Sequence, residues 1–357
     1  FLSYGLRLAE RPVRRLAPPD LGQFFHRALH LAGRDLLQAS RSWGDLDERE
    51  RADLIRRVAA ALVPDLQNEI LLSTARYRAL SGKLIRLIER SAGALAEHDR
   101  RGCFRPVALE VAFGRDAPWP PLVLDGGMVE LKGRIDRVDW ARDAAGRVWV
   151  RVIDYKSNAG VLSLSEVYQG LQLQLMVYLD VALEHARRTA GAPVQPGGVF
   201  YFQVQDPLVT VPSPPDPDEA TRLALQAFKL KGLVLADPAV VRMMDNRLTS
   251  GHSDLIPVGL RKDGGFHAAA AVLGPSEFGA LLGRVREMIA EAGKLIRDGV
   301  VDIAPLRQSR TDACRYCSFH PVCRFDPLLE RDAYRRETKA TDEEILARLH
   351  EEGVRDV

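Results

Sequence analysis

The spacing of apolar side chains predicts helices along the first third of the chain. Five of these side chains recur at helical intervals just after residue 20: Leu21, Phe24, Phe25, Leu29 and Leu31. We therefore predict a helix over residues 20–39, with Asp20 as its N-cap. The same periodicity predicts helices over residues 47–62 and 66–98.

The pattern then changes to the alternation that is typical of strands. Three strands are predicted, over residues 107–114, 128–140 and 147–156. The polar residues 141–146 between the last two predict a hairpin turn. A long amphipathic helix over residues 165–188 and a strand over residues 198–205 follow. This order predicts an α/β fold in which helices flank a mixed central sheet.

The rest of the chain predicts a helical extension and a cysteine-rich segment. A proline-rich loop at residues 207–217 precedes a helix over residues 218–244, which is broken near Gly232 and Asp237. Further helices are predicted over residues 276–297 and 342–352. We divide the chain into an N-terminal helical part (1–105), a catalytic α/β core (106–206), a helical extension (207–300) and a cysteine-cluster segment with a tail (301–357).

Composition limits the classes of protein to which this chain can belong. With 357 residues, of which 46% are apolar, the chain can bury a sizeable core. Its formal net charge is only +2, so any affinity for nucleic acid must come from local basic patches. We find no apolar run long enough to span a membrane and no secretory signal, so we expect a cytoplasmic protein. The chain begins at Phe1, in an aromatic, helix-compatible stretch without an initiator Met, so we expect a piece of a longer protein.

Two carboxylates and a lysine on consecutive predicted strands carry the clearest chemical signal. Asp154 and Lys156 are two residues apart, so their side chains leave the same face of an extended strand. Asp136 adds a carboxylate from the preceding strand. Such oxygen ligands suit Mg²⁺ or Mn²⁺, the ions that assist phosphodiester cleavage. The alternative is the solvated face of an edge strand, but the largely apolar residues 148–153 indicate a buried one.

The lysine is itself an uncommon choice for this chain. Only eight of its 50 basic residues are Lys, and the rest are Arg. Lysine is a compact point charge with an adjustable pKa, and Arg cannot replace it in that role. By spacing alone, four other polar residues are as compatible with surface positions as with a site: His26, Glu110, Gln174 and Tyr178.

Three cysteines lie within ten residues near the C-terminus, at Cys314, Cys317 and Cys323. This density argues against a secreted disulfide scaffold and for an intracellular metal site. A structural zinc ion and an iron–sulfur cluster both fit, because thiolates hold each of them. Both normally take four ligands, and Cys103 and His320 are the other candidates in the chain.

Taken in order, these motifs resemble a known family. The motifs are Asp20-Leu21-Gly22-x-x-x-His26, Phe104-x-Pro106 with Glu110-x-x-Phe113-Gly114, Gly133-Arg134-Ile135-Asp136-Arg137-Val138-Asp139, Ile153-Asp154-Tyr155-Lys156-Ser157, Tyr168-x-Gly170-Leu171-x-Leu173-Gln174-x-x-x-Tyr178, Lys231-Gly232-Leu233 and the cysteine triplet. The chain resembles the C-terminal nuclease domain of the B subunit of AddAB-type helicase–nucleases. These belong to the RecB-like branch of the PD-(D/E)XK nuclease superfamily, so the resemblance implies a restriction-endonuclease-like core.

The resemblance also assigns roles to residues. It implies that Mg²⁺ or Mn²⁺ is held by the side chains of His26, Glu110, Asp136 and Asp154. The backbone carbonyl of Tyr155 is implied as a further ligand. It implies that Lys156 is the catalytic lysine and that Gln174 and Tyr178 line the active site.

An iron–sulfur cluster is implied as well, with one departure from the family. In the family, a 4Fe–4S cluster takes three ligands that match Cys314, Cys317 and Cys323, and a fourth from just before the stretch that matches residues 1–6. This chain begins after that place, so we expect the cluster to be incomplete or absent in it. We do not expect Cys103 to substitute, because it lies in a different motif.

The function that the resemblance implies is Mg²⁺-dependent cleavage of single-stranded DNA, on the strand that ends 5′ at a double-strand break. The implied partners are a helicase–nuclease A subunit and a motor-like region that precedes this chain. One alternative is a catalytically silent, nuclease-like scaffold or DNA-end clamp, although the presence of Asp136, Asp154 and Lys156 argues against it. Another is a free-standing exonuclease with a metal cluster.

Overall fold

The computed structural model describes residues 18–64, 71, 74–157, 160–204, 210–211, 213–308, 311–326, 328–329, 333–336 and 340–355. The predicted aromatic stretch at residues 1–6 lies outside this set, and so do residues 66–70 of the third predicted helix. None of the helices within it is both long enough and apolar enough to cross a membrane.

Three helices form the described N-terminal part: α1 (Pro18–Gln38), α2 (Glu48–Leu62) and α3 (Ala75–Arg101). The Asp47 carboxylate caps α2 by accepting the backbone N–H of Glu50 at 2.8 Å. The prediction of Asp20 as an N-cap is wrong, because α1 already begins at Pro18. Proline fits the first helical turn, where its missing N–H would be unpaired anyway, so Asp20 lies inside that turn.

The α/β core and the extension follow along the chain. The core elements are β1 (Arg105–Phe113), β2 (Leu122–Leu124), β3 (Val129–Leu131), β4 (Gly133–Arg142), β5 (Val148–Lys156), α4 (Leu164–Tyr168), α5 (Gln174–Thr189) and β6 (Val194–Gln203). The extension contains α6 (Pro217–Ala227), β7 (Lys231–Leu235), α7 (Pro238–Met244), β8 (Gly251–His252), β9 (Gly259–Leu260), β10 (Val272–Leu273) and α8 (Pro275–Arg297). The last elements are β11 (Leu306–Gln308), β12 (Thr311–Asp312), α9 (His320–Cys323), β13 (Arg335–Arg336) and α10 (Asp342–Arg355).

The largest sheet has six strands in the order β1-β4-β5-β6-β7-β10. It is mixed, as predicted, because β5/β6 and β7/β10 are parallel pairs and the other neighbours are antiparallel. The predicted hairpin between β4 and β5 is confirmed, and its register sets Arg137 opposite Ile153. The parallel register sets Asp154 opposite Tyr201.

Helices flank both faces of this sheet. The Lys156 ammonium contacts Gln174 of α5, whereas the ring of the preceding residue, Tyr155, contacts His26 of α1. Successive side chains of a strand point to opposite faces, so α1 and α5 cover opposite faces of β5. The residues that end β5 are therefore enclosed from both sides.

The predicted single helix over residues 165–188 is wrong, because it is two helices, α4 and α5, joined by a loop. Gly170 has a φ of +83°, in the left-handed region that glycine adopts without strain, so the first helix ends there. The Gln172 side chain accepts the backbone N–H of Ser163 at 3.0 Å and braces the loop. As a result, Gln174 lies at the start of α5 and not in the middle of a helix.

The predicted helix over residues 218–244 is also wrong in its centre, which is the strand β7. Gly232 lies opposite Phe200 in the register of β6 and β7, and a Cβ on it would meet the Val199 carbonyl oxygen at 1.9 Å. A short apolar run of this kind fits a buried strand and a helix equally well by periodicity. The predicted strand over residues 128–140 is likewise divided, into β3 and β4.

A buried cluster of charges lies beneath the sheet in the otherwise apolar core. Asp139 accepts hydrogen bonds from Arg137 Nε and Arg151 Nε, each at 2.7 Å, and all three side chains are at most 1% exposed. The Arg151 guanidinium also lies 4.8 Å from the centre of the Phe104 ring. Buried charges persist where each is paired and hydrogen-bonded, as they are here.

Candidate active site

Side chains from one helix and two strands meet at one end of the sheet. His26 Nδ1, on α1, lies 3.5 Å from Glu110 Oε1 of β1 and 3.3 Å from Asp136 Oδ2 of β4. One ligand atom from each of these residues lies within 4.8 Å of the other two, a spacing that can hold a metal ion. The structure thus brings together three of the four side chains predicted to bind a metal.

The two carboxylates of this cluster determine the protonation state of His26. Burial alone would lower the pKa of His26, but the nearby carboxylates of Asp136 and Glu110 raise it to about 10. In the metal-free protein, His26 is therefore a cation that compensates two carboxylates. A divalent cation bound between the same carboxylates can take over that compensation and release the histidine as a neutral ligand.

Glu110 has a backbone conformation that a strand residue rarely adopts. Its φ is +48°, in the left-handed region, although it lies within β1. The pairs on either side, Leu109 with Arg137 and Val111 with Ile135, bring Glu110 across from Asp136. A residue other than glycine is strained in this region, and such strain concentrates at functional sites.

Asp136 is fixed in position by the neighbouring strand. Its Oδ2 atom accepts the backbone N–H of Tyr155 in a buried hydrogen bond of 2.8 Å. The Tyr155 ring in turn packs edge-on against the His26 ring, with 5.9 Å between centroids. Tyr155 thereby connects the histidine and the aspartate that were predicted to share a ligand.

Asp154 and Lys156 form an ion pair at the end of β5, as their spacing predicts. Lys156 Nζ lies 2.7 Å from Asp154 Oδ2, and the aspartate side chain is only 3% exposed. Burial and the negative charge of Asp136 raise the pKa of Asp154 to about 6, although Lys156 and His26 oppose the shift. The register of β4 and β5, which pairs Arg137 with Ile153, places Asp154 next to Asp136, so Asp154 adjoins the cluster of His26, Glu110 and Asp136.

Gln174 and Tyr178 continue this network on α5. Lys156 Nζ donates to Gln174 Oε1 at 3.1 Å, and Gln174 Nε2 donates to the Tyr178 hydroxyl at 2.9 Å. The Tyr178 ring packs edge-on against Phe113 at 6.0 Å. Both residues therefore belong to the hydrogen-bond network of the lysine, Gln174 as an exposed residue and Tyr178 as a partly buried one.

Tyr201 is a site residue that the sequence did not reveal. The Lys156 ammonium lies 5.2 Å from the centre of its ring, a cation–π contact. Burial, followed by the charge of Asp154, raises the pKa of Tyr201 to about 12, so its phenol is neutral near pH 7. The contact arises from the pairing of β5 with β6, which no local sequence pattern specifies.

An open groove of about 790 Å³ leads to the carboxylate cluster. Its lining combines the cluster with basic and small residues: Gly22, Gln23, His26, Arg27, His30, Glu110 and Arg134. The Arg134 guanidinium lies 3.8 Å from Glu110 Oε2 and is largely exposed. At Gly22, an added Cβ would lie 3.2 Å from the Ser157 hydroxyl, so the glycine keeps α1 close to the end of β5.

The donor set fits a hard divalent cation. It combines carboxylate oxygens with one imidazole nitrogen, and the buried Glu110 Oε1 has the 3.5 Å ion pair with His26 Nδ1 but no hydrogen-bond partner among the described residues. A buried acceptor of this kind is costly unless a cation or a donor satisfies it. The Tyr155 carbonyl oxygen stays a predicted ligand.

The cysteine triplet lies on a short helical turn and on α9. All three thiols are free, and Cys317 donates its backbone N–H to the Cys314 carbonyl at 3.1 Å. Burial and the charges of Asp312, Cys317 and Cys323 raise the pKa of the Cys314 thiol. Unlike the ligand atoms of the His26, Glu110 and Asp136 cluster, the three sulfur atoms do not all lie within 4.8 Å of one another. A metal–thiolate centre at this triplet stays a prediction.

Cys103 lies in a different part of the fold. It joins α3 to β1, and its backbone N–H donates to the Met243 carbonyl at 2.7 Å. It is not among the groups whose charges act on Cys314. The contacts of Cys103 therefore give no support to its joining the triplet.

Comparison with known proteins agrees with the motifs. A family model described as the PD-(D/E)XK nuclease superfamily matches residues 1–324. Similar curated proteins are each named as the B subunit of an ATP-dependent helicase/deoxyribonuclease. The protein from Pelotomaculum thermopropionicum is 47% identical over 339 residues, which cover 94% of this chain and 29% of that protein. The protein from Desulforamulus reducens is 42% identical over 359 residues, which cover 100% of this chain and 31% of that protein.

This chain thus spans less than a third of the length of the curated relatives it matches. The resemblance stated from the motifs is confirmed, and so is the α/β fold with a mixed central sheet. The chain belongs to the PD-(D/E)XK nuclease superfamily.

Proposed function

We propose that this chain is a metal-dependent nuclease domain that hydrolyses phosphodiester bonds of single-stranded DNA. One observation carries the proposal: the His26, Glu110 and Asp136 cluster adjoins an Asp154–Lys156 ion pair at the same end of the sheet. A metal site beside a lysine suits an anionic substrate, because both offset negative charge on a phosphate. The names of the relatives, which include deoxyribonuclease, agree with this chemistry.

In this proposal, Mg²⁺ or Mn²⁺ is held by His26, Glu110, Asp136 and Asp154, with the Tyr155 carbonyl as a further ligand. A bound divalent cation supplies charge that polarises the phosphate and lowers the pKa of water. The protein supplies a fixed set of donors, since Asp136 is held by the Tyr155 N–H and Asp154 by Lys156. Binding therefore needs little reordering of these side chains.

Lys156 is the residue that acts on the reacting groups. Its ammonium has three protons, of which Asp154 and Gln174 engage two. The third is available to orient the attacking water or to donate to a phosphate oxygen. The Tyr201 ring and the Gln174 amide keep the ammonium at this position, and Tyr178 orients the amide. Hydrolysis then proceeds by direct attack of water on phosphorus, without a covalent enzyme intermediate.

We further propose that the domain works within a helicase–nuclease, because its relatives are named as the B subunit of an ATP-dependent helicase/deoxyribonuclease. Its partners would be an A subunit and a motor-like region of its own longer chain. Its substrate would be the strand that ends 5′ at a double-strand break, delivered single-stranded as the duplex is unwound.

For the cysteine triplet, we propose a 4Fe–4S cluster whose fourth ligand lies outside this sequence. Cys314, Cys317 and Cys323 would each bind one iron and so tie the C-terminal segment to the rest of the protein. Iron and acid-labile sulfide should be found in the full-length natural protein and be lost in Cys317→Ser but kept in Cys103→Ser. Bound zinc without sulfide would contradict this proposal.

A cleavage assay tests the nuclease activity. Duplex DNA labelled on the strand that ends 5′ at the break is incubated with ATP and the full-length protein in its helicase complex, with Mg²⁺ or with EDTA. We expect Mg²⁺-dependent cleavage of the 5′-ended strand that is lost in Asp154→Ala and in Lys156→Ala and retained in Lys262→Ala, which removes an exposed lysine of a distant loop. If both Asp154→Ala and Lys156→Ala cleave this strand as wild type does, the proposal is contradicted and a silent scaffold is favoured.

A further inference from the structure

A second basic groove lies beside the loop that joins α4 to α5. It has a volume of about 350 Å³ and runs between that loop, α8, β13 and α10. Four arginines line it: Arg284, Arg335, Arg336 and Arg348. Among the described residues, its lining contains no carboxylate, in a chain whose formal net charge is only +2. Positive charge is therefore concentrated in this groove.

Two of the four arginines contact other parts of the protein, and two do not. The Arg284 guanidinium lies 5.6 Å from the centre of the Tyr168 ring and 3.7 Å from the Glu287 carboxylate, and Arg335 Nε donates to the Ala304 carbonyl at 2.9 Å. Arg336 and Arg348 are exposed, and neither forms a hydrogen bond or ion pair with another described residue. Within the described part of the chain, two of the four guanidinium groups thus have their donors available for a ligand.

Another arginine-rich groove, between α3 and α6, provides a contrast. This groove has a volume of about 600 Å³, and its lining includes the carboxylates of Glu97, Asp218 and Asp254. Arg100 lies 3.0 Å from Glu97, and Arg222 lies 3.9 Å from Asp254. Much of the positive charge there is neutralised within the protein. The groove beside α4 and α5 is the better candidate for an external anion.

The position of the groove links it to the active site. Leu171 lines the groove, and Gln174, which holds Lys156, follows three residues later. Three residues span at most about 11 Å of extended chain. Each strand of a DNA duplex carries a phosphate about every 3.4 Å along the axis, so the backbone at the Leu171 edge of the groove lies within about three such spacings of Gln174.

We propose that this arginine groove binds the phosphate backbone of the single-stranded DNA next to the scissile phosphate. The inference rests on the proposed nuclease function and adds to it the path of the substrate. Guanidinium groups bind phosphate through paired N–H donors, and such contacts hold a strand without reading its sequence. The groove accordingly binds single strands of any sequence and sets their register in the active site.

The test measures binding separately from cleavage. Fluorescence anisotropy of a labelled oligothymidylate is recorded in EDTA over a range of salt concentrations. Wild-type protein is compared with Arg336→Ala/Arg348→Ala and with the matched control Arg222→Ala/Arg247→Ala, which removes the same charge from the other groove. Thermal unfolding of each variant verifies that it is folded.

Losing two phosphate contacts should lower the slope of log affinity against log salt by about 1.4, since each contact to a single strand contributes about 0.7. Affinity at 0.1 M salt should fall about tenfold or more on the same basis, and the control should behave like wild type. An unchanged slope and affinity in Arg336→Ala/Arg348→Ala, or an equal loss in the control, would overturn the inference.

The same samples separate this inference from the proposed function. If Mg²⁺-dependent cleavage needs Lys156 but Arg336→Ala/Arg348→Ala binds DNA as wild type does, the nuclease function stands and the groove assignment is wrong. If binding depends on both arginines but no DNA is cleaved, the groove binds DNA and the nuclease function fails.

Discussion

The Asp136 carboxylate accepts a hydrogen bond from the backbone N–H of Tyr155 at 2.8 Å, so a side chain of β4 is tied to the backbone of β5. The same oxygen lies 3.3 Å from His26 Nδ1. One atom thus connects α1, β4 and β5 at the point where the proposed metal ligands converge. A ligand that is already oriented by a backbone bond loses little conformational entropy when a cation binds.

Replacing Asp136 should separate its role in metal binding from its role in stability. Asp136→Asn keeps an acceptor for the Tyr155 N–H but removes the charge, whereas Asp136→Ala removes both. Both variants should bind Mn²⁺ at least tenfold more weakly in calorimetric titrations. Only Asp136→Ala should also lose about 1–3 kcal/mol in free energy of unfolding, because it leaves a buried N–H unpaired. Wild-type Mn²⁺ affinity in Asp136→Asn would show that Asp136 is not a ligand.

The left-handed backbone at Glu110 predicts that glycine at this position makes the protein more stable than another residue without the carboxylate does. Glu110→Gly and Glu110→Gln both remove the carboxylate and its interaction with His26. Glycine accepts a φ of +48° without strain, so Glu110→Gly should be more stable than Glu110→Gln by about 0.5–1 kcal/mol. Urea unfolding in EDTA measures this difference. Equal stability, or a more stable glutamine variant, would mean that the backbone at Glu110 is not strained.

Gln174 should affect the rate of cleavage through Lys156. Gln174→Leu removes the acceptor that lies 3.1 Å from Lys156 Nζ, so kcat should fall about tenfold, the equivalent of one hydrogen bond. Tyr178→Phe keeps the ring contact with Phe113 and should have a smaller effect. Steady-state cleavage of single-stranded DNA at saturating Mg²⁺ measures both. A Gln174→Leu variant with the kcat of wild type would rule out this role.

The buried cluster around Asp139 predicts how stability depends on pH. Burial favours the neutral acid, but Arg137 and Arg151 outweigh it and lower the pKa of Asp139 in the folded protein. A depressed pKa adds stability above the unfolded-state value of about 3.9, and that stability is lost as the pH falls through the folded-state value.

Asp139→Asn should therefore be less stable than wild type by about 3–5 kcal/mol at pH 7, because it removes the carboxylate that binds both buried arginines and leaves Asp99, 3.6 Å from Arg137, as the one adjacent carboxylate among the described residues. The difference should shrink as the pH falls below about 4, where Asp139 takes up a proton in the unfolded chain but not yet in the folded protein. Urea unfolding of both proteins between pH 3 and pH 7 provides the measurement. A difference that stays constant over this range would contradict the assignment.

The sequence was most informative where local pattern and chemistry coincide. Asp154 and Lys156 end an apolar strand at a spacing of two, and this alone predicts that they share a face, as their 2.7 Å contact confirms. The hairpin before them was predictable because its turn residues separate two alternating segments. His26 and Glu110 were assigned only through the family resemblance, since their spacing carries no signal of its own.

What the sequence did not predict depends on tertiary pairing. The sequence of β7 was predicted to be helical because its short, largely apolar run is compatible with both a helix and a strand. Only its pairing with β6 decides between the two. Tyr201 contacts Lys156 through the parallel register of β5 and β6. The left-handed φ of Glu110 is likewise imposed by the surrounding sheet and is not encoded by the residue type.

The most direct test of the central claim is a crystal structure of the protein grown with Mn²⁺, with the metal located by its anomalous scattering. The proposed site predicts an ion bound by His26 Nδ1 and by carboxylate oxygens of Glu110, Asp136 and Asp154, with Lys156 beside it. An ion bound elsewhere, or no ion at this cluster under conditions in which the protein cleaves DNA, would contradict the proposed site.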